Sequence, residues 1–533
     1  MSLDVDAVLS FVGSVFQHAN VVKVEEPIIS KGLEGENFER LLQSLDNLNS
    51  AIEFFTENKL FKNSDRYLST LRSLSWRGVQ LCDEEFRAIL SHNSHPLPPG
   101  VLIRGGIQSR IHGFFPEAAA RKLKSLARRL RDFNSSEHVI AYGDIRKVTL
   151  VQCLKSIENI PGASDALNTI YIPGAHPFIA FHKTFLRLAF NERRLSRSIM
   201  SEDKANEAFA ASIDSMLAHF LQTGSGVLKR RKHVSIETQI YLLLDISATL
   251  SGAYHSYEDV LASPSGHMLG NFNNLALELR TALISCLQHY EKDLRDGQWK
   301  LPKDGTVHKL TAQSLVFLKR LFDFQEEVTR VLQLSSKDAH EPNSFAELVK
   351  HHLEIVTHAL FLATNTVKEP VLRRLFEINN FSYIRKTIRN SELITRLDDA
   401  FVAHLEELAE TSLKCYLEEA WKDVLSSGKG LLVNLEQKAE SSLIKNSVHA
   451  LNKSLDMAFK SNHDMAIPDP VVRDLVKSRL IQTILEILDP ALNHLASSAN
   501  GEDISASLRY NRELIESTIQ DATFQGGSIT AHT

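Results

Sequence analysis

Apolar residues recur every three or four positions along almost all of the 533-residue chain. This is the period of an α-helix that buries one face. No alternating apolar and polar pattern runs longer than four or five residues, so β-strands are not predicted. Two apolar stripes lie side by side on a long helix predicted at 309–333: Leu315, Leu318 and Phe322 in one, and Leu321, Phe324, Val328 and Val331 in the other. The sequence therefore predicts an all-α protein whose helices pack between neighbouring helices.

Two helix starts can be placed from capping residues. Ser344 and Glu347 form a capping box, in which hydroxyl and carboxylate satisfy exposed N–H groups at the start of a helix. Pro370 is predicted in the first turn of the next helix, because its missing N–H costs nothing there.

Turn-forming residues divide the helical pattern. The segment 159–177 contains two Pro-Gly pairs and is interpreted as a domain boundary. The length corresponds to about three or four domains of roughly 150 residues. Because no fixed-period repeat is present, we expect stacked irregular bundles. The predicted bundles are 1–160, 161–300, 301–420 and 421–533.

The sequence predicts neither a secretory signal nor a membrane-spanning helix. The N-terminus lacks a basic region followed by an unbroken apolar core. The best apolar run, at 240–254, is interrupted by Asp245 and falls short of about 18 uncharged apolar residues. Any membrane contact is thus expected to be peripheral. Four widely spaced cysteines without a Cys-x-x-Cys pair fit a reducing compartment.

The chain contains no recognised catalytic motif. A GxxxxGK[ST] phosphate loop, GxGxxG, HExxH and GxSxG are all missing from the sequence, so no catalytic residue or cofactor is predicted. The nearest metal candidate is His351, Glu354 and His358, which share a helix face at spacings of three and four. With 22 histidines such a coincidence is expected, and no metal site is predicted.

Charge is nearly balanced overall and concentrated locally. The net charge of −5 excludes a strongly basic, dedicated nucleic-acid binder. Two basic clusters stand out: Arg121, Lys122, Lys124, Arg128, Arg129 and Arg131 in a helical pattern, and Lys229, Arg230, Arg231 and Lys232 in a predicted helix–helix loop. The common explanation of such clusters is a solvated surface. The functional alternative is contact with anionic lipid or an acidic partner.

Four segments carry a resemblance to a known family. They are SEHVIAYGDIRKVTLVQCLKSI (136–157), LPKDGTVHKLTAQSLVFLKRLFDFQEEV (301–328), FEINNFSYIRKTIRNSELI (376–394) and MAIPDPVVRDLVKS (465–478). In this order they resemble the seventy-kilodalton subunit of the exocyst, and weaker similarity extends from about residue 35 to Tyr510.

The resemblance implies an elongated rod of consecutive antiparallel helical bundles without enzymatic activity. It implies a cytoplasmic protein, peripherally recruited to the plasma membrane, that helps to tether secretory vesicles before fusion. The implied partners are other exocyst subunits, Rho-family small GTPases and phosphoinositides such as phosphatidylinositol 4,5-bisphosphate, but not nucleic acid. The alternative is an α-helical scaffold or regulator that has the same fold and no lipid dependence.

The resemblance also implies a phosphoinositide site in the C-terminal bundle. Five residues match basic positions of the family there: Lys445, Lys460, Arg473, Lys477 and Arg509. Tyr510 matches a tyrosine beside the last of these, whereas Ala506 stands where the family has a lysine. Residues 421–533 contain eleven Lys and Arg against fourteen Asp and Glu, which predicts weaker lipid binding than a uniformly basic tip.

Members of this family usually carry a coiled coil before the rod. The chain is expected to begin at or just before the first rod helix, at Met1. Because the coiled coil contributes to assembly with other subunits, three alternatives stay open: a chain that assembles differently, a short isoform and an incomplete gene model.

Overall fold

The computed structural model is built from α-helices. It describes residues 2–32, 37–59, 61–158, 171–262, 266–297, 299, 301–335, 342–462, 466–496, 507–522 and 524. Within these ranges the chain forms no β-strand. The predicted all-α fold class is confirmed.

The chain divides into two compact units, Met1–Ala282 and Leu283–Thr533. The first ten helices are α1 (Ser2–Lys31), α2 (Asn37–Glu57), α3 (Ser64–His92), α4 (Pro99–Ile103), α5 (Glu117–Asp132), α6 (Glu137–Glu158), α7 (Pro177–Ile199), α8 (Glu202–Arg230), α9 (Ile236–Gly252) and α10 (Tyr254–Leu261). They are followed by α11 (His267–Asp296), α12 (Lys309–Leu321), α13 (Gln325–Ser335), α14 (Phe345–Thr364), α15 (Pro370–Arg389), α16 (Asp399–Ala420), α17 (Lys422–Glu436), α18 (Ser441–Asn462), α19 (Pro470–Ala496) and α20 (Arg512–Asp521). The finer division into four bundles stays a prediction.

The first unit is a stack of helices that pack on their neighbours in the chain. Helix α2 packs against α1 and α3, α3 packs against α5 and α6, and α8 packs against α6 and α7. Fully buried side chains such as Leu45, Phe55, Phe86 and Leu126 form its core. These apolar residues recur with the helical period, so each helix contributes one buried stripe.

The second unit has its own apolar core, centred on α17, α18 and α19. Trp421, Leu431, Leu451 and Val476 are buried there. The extended stretch before α19 is fixed by a backbone bond in which Ile467 N donates to Phe524 O at 2.8 Å. The C-terminal part of this bundle is thus held by both side-chain packing and backbone pairing.

The predicted helix starts are confirmed, and one predicted helix is broken. Ser344 Oγ accepts from Glu347 N at 3.3 Å, and Glu347 Oε2 accepts from Asn343 N at 2.8 Å. Pro370 is the first residue of α15. The single helix predicted at 309–333 is wrong, because a 3₁₀ turn at Phe322–Phe324 separates α12 from α13.

The 3₁₀ turn coincides with a local cluster around one aromatic ring. The ring of Phe322 meets Phe345 edge-on at a centroid distance of 5.9 Å. The guanidinium of Arg396 lies 5.7 Å from the same ring. Short 3₁₀ stretches of this kind are frequent at helix ends and as connectors between helices.

Helix α1 has the length and composition of a membrane-spanning helix, which the sequence analysis did not predict. Val5–Lys31 is long and apolar enough to cross a membrane by length and composition, and only 6% of its most apolar window is buried. Val8, Leu9 and Phe16 are among its exposed side chains. The stretch escaped prediction because Ser, Gly, Gln, His and Asn interrupt its apolar residues, although no charge lies between Asp6 and Lys23.

Two deeply buried histidines make stability depend on pH. Burial lowers the pKa of His182 to about 4 and that of His352 to about 3. Both rings are at most 2% exposed, and His182 Nδ1 lies 2.7 Å from the hydroxyl of Tyr257. In the unfolded chain these rings titrate near about 6.5. The unfolded state therefore binds more protons below that pH, and stability falls as the pH drops toward the folded pKa values.

At pH 5 each buried histidine is expected to lower the free energy of unfolding by about 1–2 kcal/mol. The substitution His352→Phe should remove one such contribution, so the loss of stability between pH 7 and pH 5 becomes smaller by that amount. Denaturant unfolding at the two pH values measures it. His358→Phe, at an exposed position of the same helix, is the matched control. Equal pH dependence in the native and His352→Phe proteins would contradict the prediction.

Candidate functional site

Three of the four segments that carry the family resemblance meet at an asparagine pair in α15. Asn379 Nδ2 donates to Gly305 O at 2.8 Å and to Ala466 O at 2.9 Å. Asn380 Oδ1 accepts from His308 N at 3.0 Å. Both asparagines are buried, at 5% and 0% exposure. The pair therefore ties the loop before α12 and the turn before α19 to one helix.

The fourth segment forms a buried ionic network in the first unit. Arg146 Nη2 lies 2.7 Å from Glu192 Oε2, and neither side chain is more than 1% exposed. Tyr142 Oη donates to Glu192 Oε1 at 2.7 Å. Burial, with the Glu192 charge, raises the pKa of Tyr142 well above its ordinary value. These residues of the fourth family segment and their partner Glu192 therefore maintain the fold and present no charge to solvent.

Three exposed lysines of the second unit lie on one face of α18: Lys445, Lys453 and Lys460. Lys445 and Lys460, which the resemblance assigned to the lipid site, are both exposed, and among the described residues neither forms an ion pair. The same face carries the exposed side chains of His449, Lys453 and Met457. Residues spaced by three and four lie on one side of a helix. We call these five residues the α18 face. Lys453 was missed, although its spacing from the two predicted lysines could have revealed it.

Arg509 lies beside this face because it binds an acidic residue of α18. Arg509 Nη1 is 2.6 Å from Asp456 Oδ2, and Tyr510 Oη donates to Asp456 Oδ1 at 2.5 Å. Asn452 Oδ1 accepts from the backbone N of Arg509 at 3.0 Å. The hydrogen bond from Tyr510, followed by that from Arg509, lowers the pKa of Asp456. The guanidinium remains 63% exposed, so it can take a second anionic ligand.

The structure uses the other two predicted cations internally. Lys477 is 9% exposed, and its Nζ donates to Gln520 O at 2.7 Å. Arg473 Nε and Nη2 donate to Ile467 O at 3.0 and 2.9 Å. Both side chains satisfy backbone carbonyls, one at the end of α20 and one in the turn before α19. Their contacts serve the fold and place neither charge on the α18 face.

The first secondary cluster lies on α5 and is mostly accessible. The cations without a described long-range partner are exposed on one face: Arg121, Lys124, Arg128 and Arg131. Arg129 pairs instead with Asp46, and Lys122 Nζ lies 5.9 Å from the ring of Phe38. The opposite face, with Leu123 and similar residues, is buried in the core.

The second cluster only partly lies in the predicted connection between two helices: Arg231 and Lys232 do, whereas for Lys229 and Arg230 the prediction is wrong. Lys229 and Arg230 belong to the last turn of α8, and a 3₁₀ turn at Arg231–His233 follows. Cations stabilise the carbonyl end of a helix, which explains why the helix extends this far. Arg231 Nη1 donates to Leu228 O, whereas Lys232 is exposed.

The histidine group considered as a metal candidate is not assembled. His351 Nε2 lies 3.2 Å from Arg295 Nη2 and 3.6 Å from Glu291 Oε2, while Glu354 and His358 are exposed. Across the part of the chain that the structure describes, no three His, Cys, Asp or Glu residues are placed to hold a metal ion.

The fold and its buried networks define a class of protein: an all-α protein of packed helical bundles held together by buried polar contacts. The family model for the C-terminal part of the Exo70 subunit of the exocyst complex matches residues 175–521. A second model, for the N-terminal part of exocyst complex component Exo70, matches residues 8–92. The chain belongs to the Exo70 family of exocyst subunits, and the resemblance stated above is confirmed.

Individual relatives are distant but extensive. Exocyst complex component EXO70A1 of Arabidopsis thaliana is 20% identical over 99% of this chain and 89% of its own length. Exocyst complex component 7 of Homo sapiens is 22% identical over 62% of this chain, which spans about half (48%) of that relative. The names of these relatives describe a component of a complex and not an enzyme.

Solved structures share the fold. A structure of Saccharomyces cerevisiae Exo70 aligns with a TM-score of 0.72 at 13% identity and covers 95% of this chain and 98% of its own. A second structure of the yeast protein gives a TM-score of 0.70 at 14% identity, with 95% and 99% coverage. Similarity at this level establishes the helical architecture alone.

Proposed function

We propose that this chain acts as an exocyst subunit that helps to tether secretory vesicles to the plasma membrane. Membership of the Exo70 family carries the proposal, because family models match residues 8–92 and 175–521. Its partners are other exocyst subunits and Rho-family small GTPases. The protein works in the cytoplasm and is recruited peripherally to sites of secretion. Affinity purification of the tagged chain from cells tests this function, which fails if no other exocyst subunit is recovered.

The membrane contact belongs to the α18 face together with Arg509. Lys445, Lys453 and Lys460 are exposed, and the neighbouring acidic side chain, Asp456, already binds Arg509. A lysine near an anionic leaflet contributes about 1 kcal/mol. Because screening limits this attraction to roughly 8–10 Å, a local face can bind although the whole bundle is acidic. Its headgroup ligand is a phosphoinositide such as phosphatidylinositol 4,5-bisphosphate.

Of the two other residues assigned by resemblance, the half-buried Arg473 belongs to the proposal in its present position, whereas the buried Lys477 belongs to it only in a rearranged state. Lys477 would have to release the carbonyl of Gln520 before its ammonium could reach a headgroup. Their replacement should therefore change stability as well as binding, which makes them poor probes of the lipid site.

Reversing the three lysines of the α18 face to glutamate should weaken co-sedimentation with vesicles that contain phosphatidylinositol 4,5-bisphosphate by at least about ten-fold. Three losses of about 1 kcal/mol each exceed the roughly 1.4 kcal/mol that corresponds to this factor. The control reverses Lys414, Lys422 and Lys429, which are exposed on α16 and α17 and change the net charge equally. An equal loss in both triple variants, or no loss in the first, refutes the assignment.

The alternative function is that of a helical scaffold with soluble partners and no lipid dependence. The α5 cations favour an acidic protein as its partner, since Arg121, Lys124 and Arg128 are all exposed. Recovery of soluble acidic partners, with no vesicle binding and no exocyst subunit, would support this alternative over tethering.

A further inference from the structure

A cavity of about 490 Å³ lies in the first unit among α6, α7, α8 and α9. Its lining includes the apolar side chains of Phe178, Phe181, Val227 and Leu242, together with the basic side chains of Arg230 and Arg231. Small-molecule sites have this size and this combination of mainly apolar walls and a few polar groups. The cavity shares no residue with the α18 face.

The apolar wall is already fixed in place. Phe178 and Phe181 are 3% and 2% exposed, and both rings stack on Phe220, with centroid distances of 5.4 and 6.0 Å. Side chains that are ordered before binding lose little conformational entropy when a ligand arrives. This wall is therefore suited to a hydrocarbon chain.

The guanidinium of Arg231 has unused hydrogen-bonding capacity. Its Nη1 is anchored on Leu228 O, but its Nε is shielded from solvent and has no hydrogen-bond partner among the described atoms. An anionic oxygen can bind the guanidinium donors of Arg231 that reach the cavity, and the exposed Arg230 can bind a second oxygen.

The other polar groups of the cavity do not cancel this positive charge. Glu158 accepts from Thr223 Oγ1 at 2.6 Å and lies 3.3 Å from His219 Nε2, so its carboxylate already has partners. His176 accepts from Phe178 N through Nδ1, and burial lowers its pKa to about 4. Its ring is therefore neutral near pH 7. Two guanidinium groups thus face one partnered carboxylate.

We propose that this cavity binds a single-chain amphiphile with a phosphate monoester or carboxylate head, taken up as a monomer. The head contacts Arg230 and Arg231, and the chain lies against Phe178, Phe181 and Leu242. A bare anion would leave the apolar lining uncovered, and a neutral alcohol would bring no negative charge to the two guanidinium groups.

Calorimetric titration of the full chain with decyl phosphate, below its micelle concentration, tests the proposal. We expect saturable binding at one site, and at least ten-fold weaker binding of inorganic phosphate and of decanol. Arg231→Gln should weaken decyl phosphate binding at least ten-fold. Val227→Trp, which fills the cavity, should abolish it. The matched control is Lys232→Gln, which removes the same charge from the neighbouring exposed residue and should change the affinity less than two-fold.

Several outcomes would overturn the proposal. Equal losses in Arg231→Gln and Lys232→Gln would mean diffuse charge attraction. Equal affinity for inorganic phosphate would mean a simple anion site, and equal affinity for decanol would mean apolar partition. Absence of saturable binding to a native protein with a normal unfolding midpoint would also reject it. If Val227→Trp fails to fold, Arg230→Gln serves as the second variant, because it changes an exposed residue. It should weaken decyl phosphate binding, since the head group contacts Arg230.

Discussion

Replacing Arg146 with methionine is expected to lower the free energy of unfolding by about 3–5 kcal/mol. The side chains of Arg146 and Glu192 are 1% and 0% exposed and lie 2.7 Å apart. Removing the cation leaves the Glu192 carboxylate buried without a counter-charge, which is far more costly than losing the attraction itself. Tyr142, which donates to the same carboxylate, cannot supply that charge.

The loss should extend beyond the ion pair. The Arg146 guanidinium also lies 5.0 Å from the Phe114 ring and donates to Ser94 Oγ at 3.2 Å. The loop between α3 and α5 therefore depends on the same side chain. Faster backbone hydrogen exchange in that loop would accompany the lower stability.

Denaturant unfolding of paired variants measures the effect. Lys147→Met is the control, because Lys147 is the next residue of α6 and pairs with Asp144 at the surface. Exposed pairs contribute at most about 1 kcal/mol. The double variant Arg146→Met with Glu192→Leu should recover most of the lost stability, since it removes the uncompensated charge. A loss in Arg146→Met no larger than that in Lys147→Met would refute the argument.

Local sequence patterns were sufficient to predict the fold class and two helix starts. Apolar spacing and the caps at Ser344 and Pro370 depend on residues within one or two turns, so they can be read along the chain. The helix break at Phe322 could not be predicted in this way, because its ring contacts Phe345 and Arg396, which are distant in sequence.

The candidate site was only partly predictable, for the same reason. A lysine in a helical pattern can be assigned to a face, and this suffices for Lys445 and Lys460. Whether its charge is available depends on partners far along the chain. Lys477 has its acceptor 43 residues away at Gln520. Arg129 has its partner 83 residues away at Asp46, and no local pattern contains that information.

The four segments by which the family was recognised contribute mainly to the fold. Asn379 and Arg146 stood out as elements of a resemblance, and both make buried contacts that define the fold. Their polar atoms have fixed partners 87 and 46 residues away. The resemblance is therefore strong evidence for architecture. The proposed lipid site rests instead on exposed residues such as Lys453, which lie outside those segments.

The second large effect is expected at Asn380, where Asn380→Ala should lower the free energy of unfolding by about 2–4 kcal/mol. The side chain is 0% exposed. Its Oδ1 accepts from His308 N at 3.0 Å and from Thr311 Oγ1 at 2.9 Å, while Nδ2 donates to Phe376 O at 2.8 Å. Alanine removes the acceptor of two buried donors and leaves a void, and both changes lower the stability.

Asn390→Ala, at the exposed C-terminal end of the same helix, serves as the control and should cost less than about 1 kcal/mol. Denaturant unfolding measures stability, and hydrogen exchange of residues 302–311 reports on the loop before α12. If Asn380 only filled space, Asn380→Leu would restore stability and leave exchange in that loop unchanged. If the amide orders the loop, both Asn380→Ala and Asn380→Leu should speed that exchange, because neither side chain can accept a hydrogen bond from His308 N.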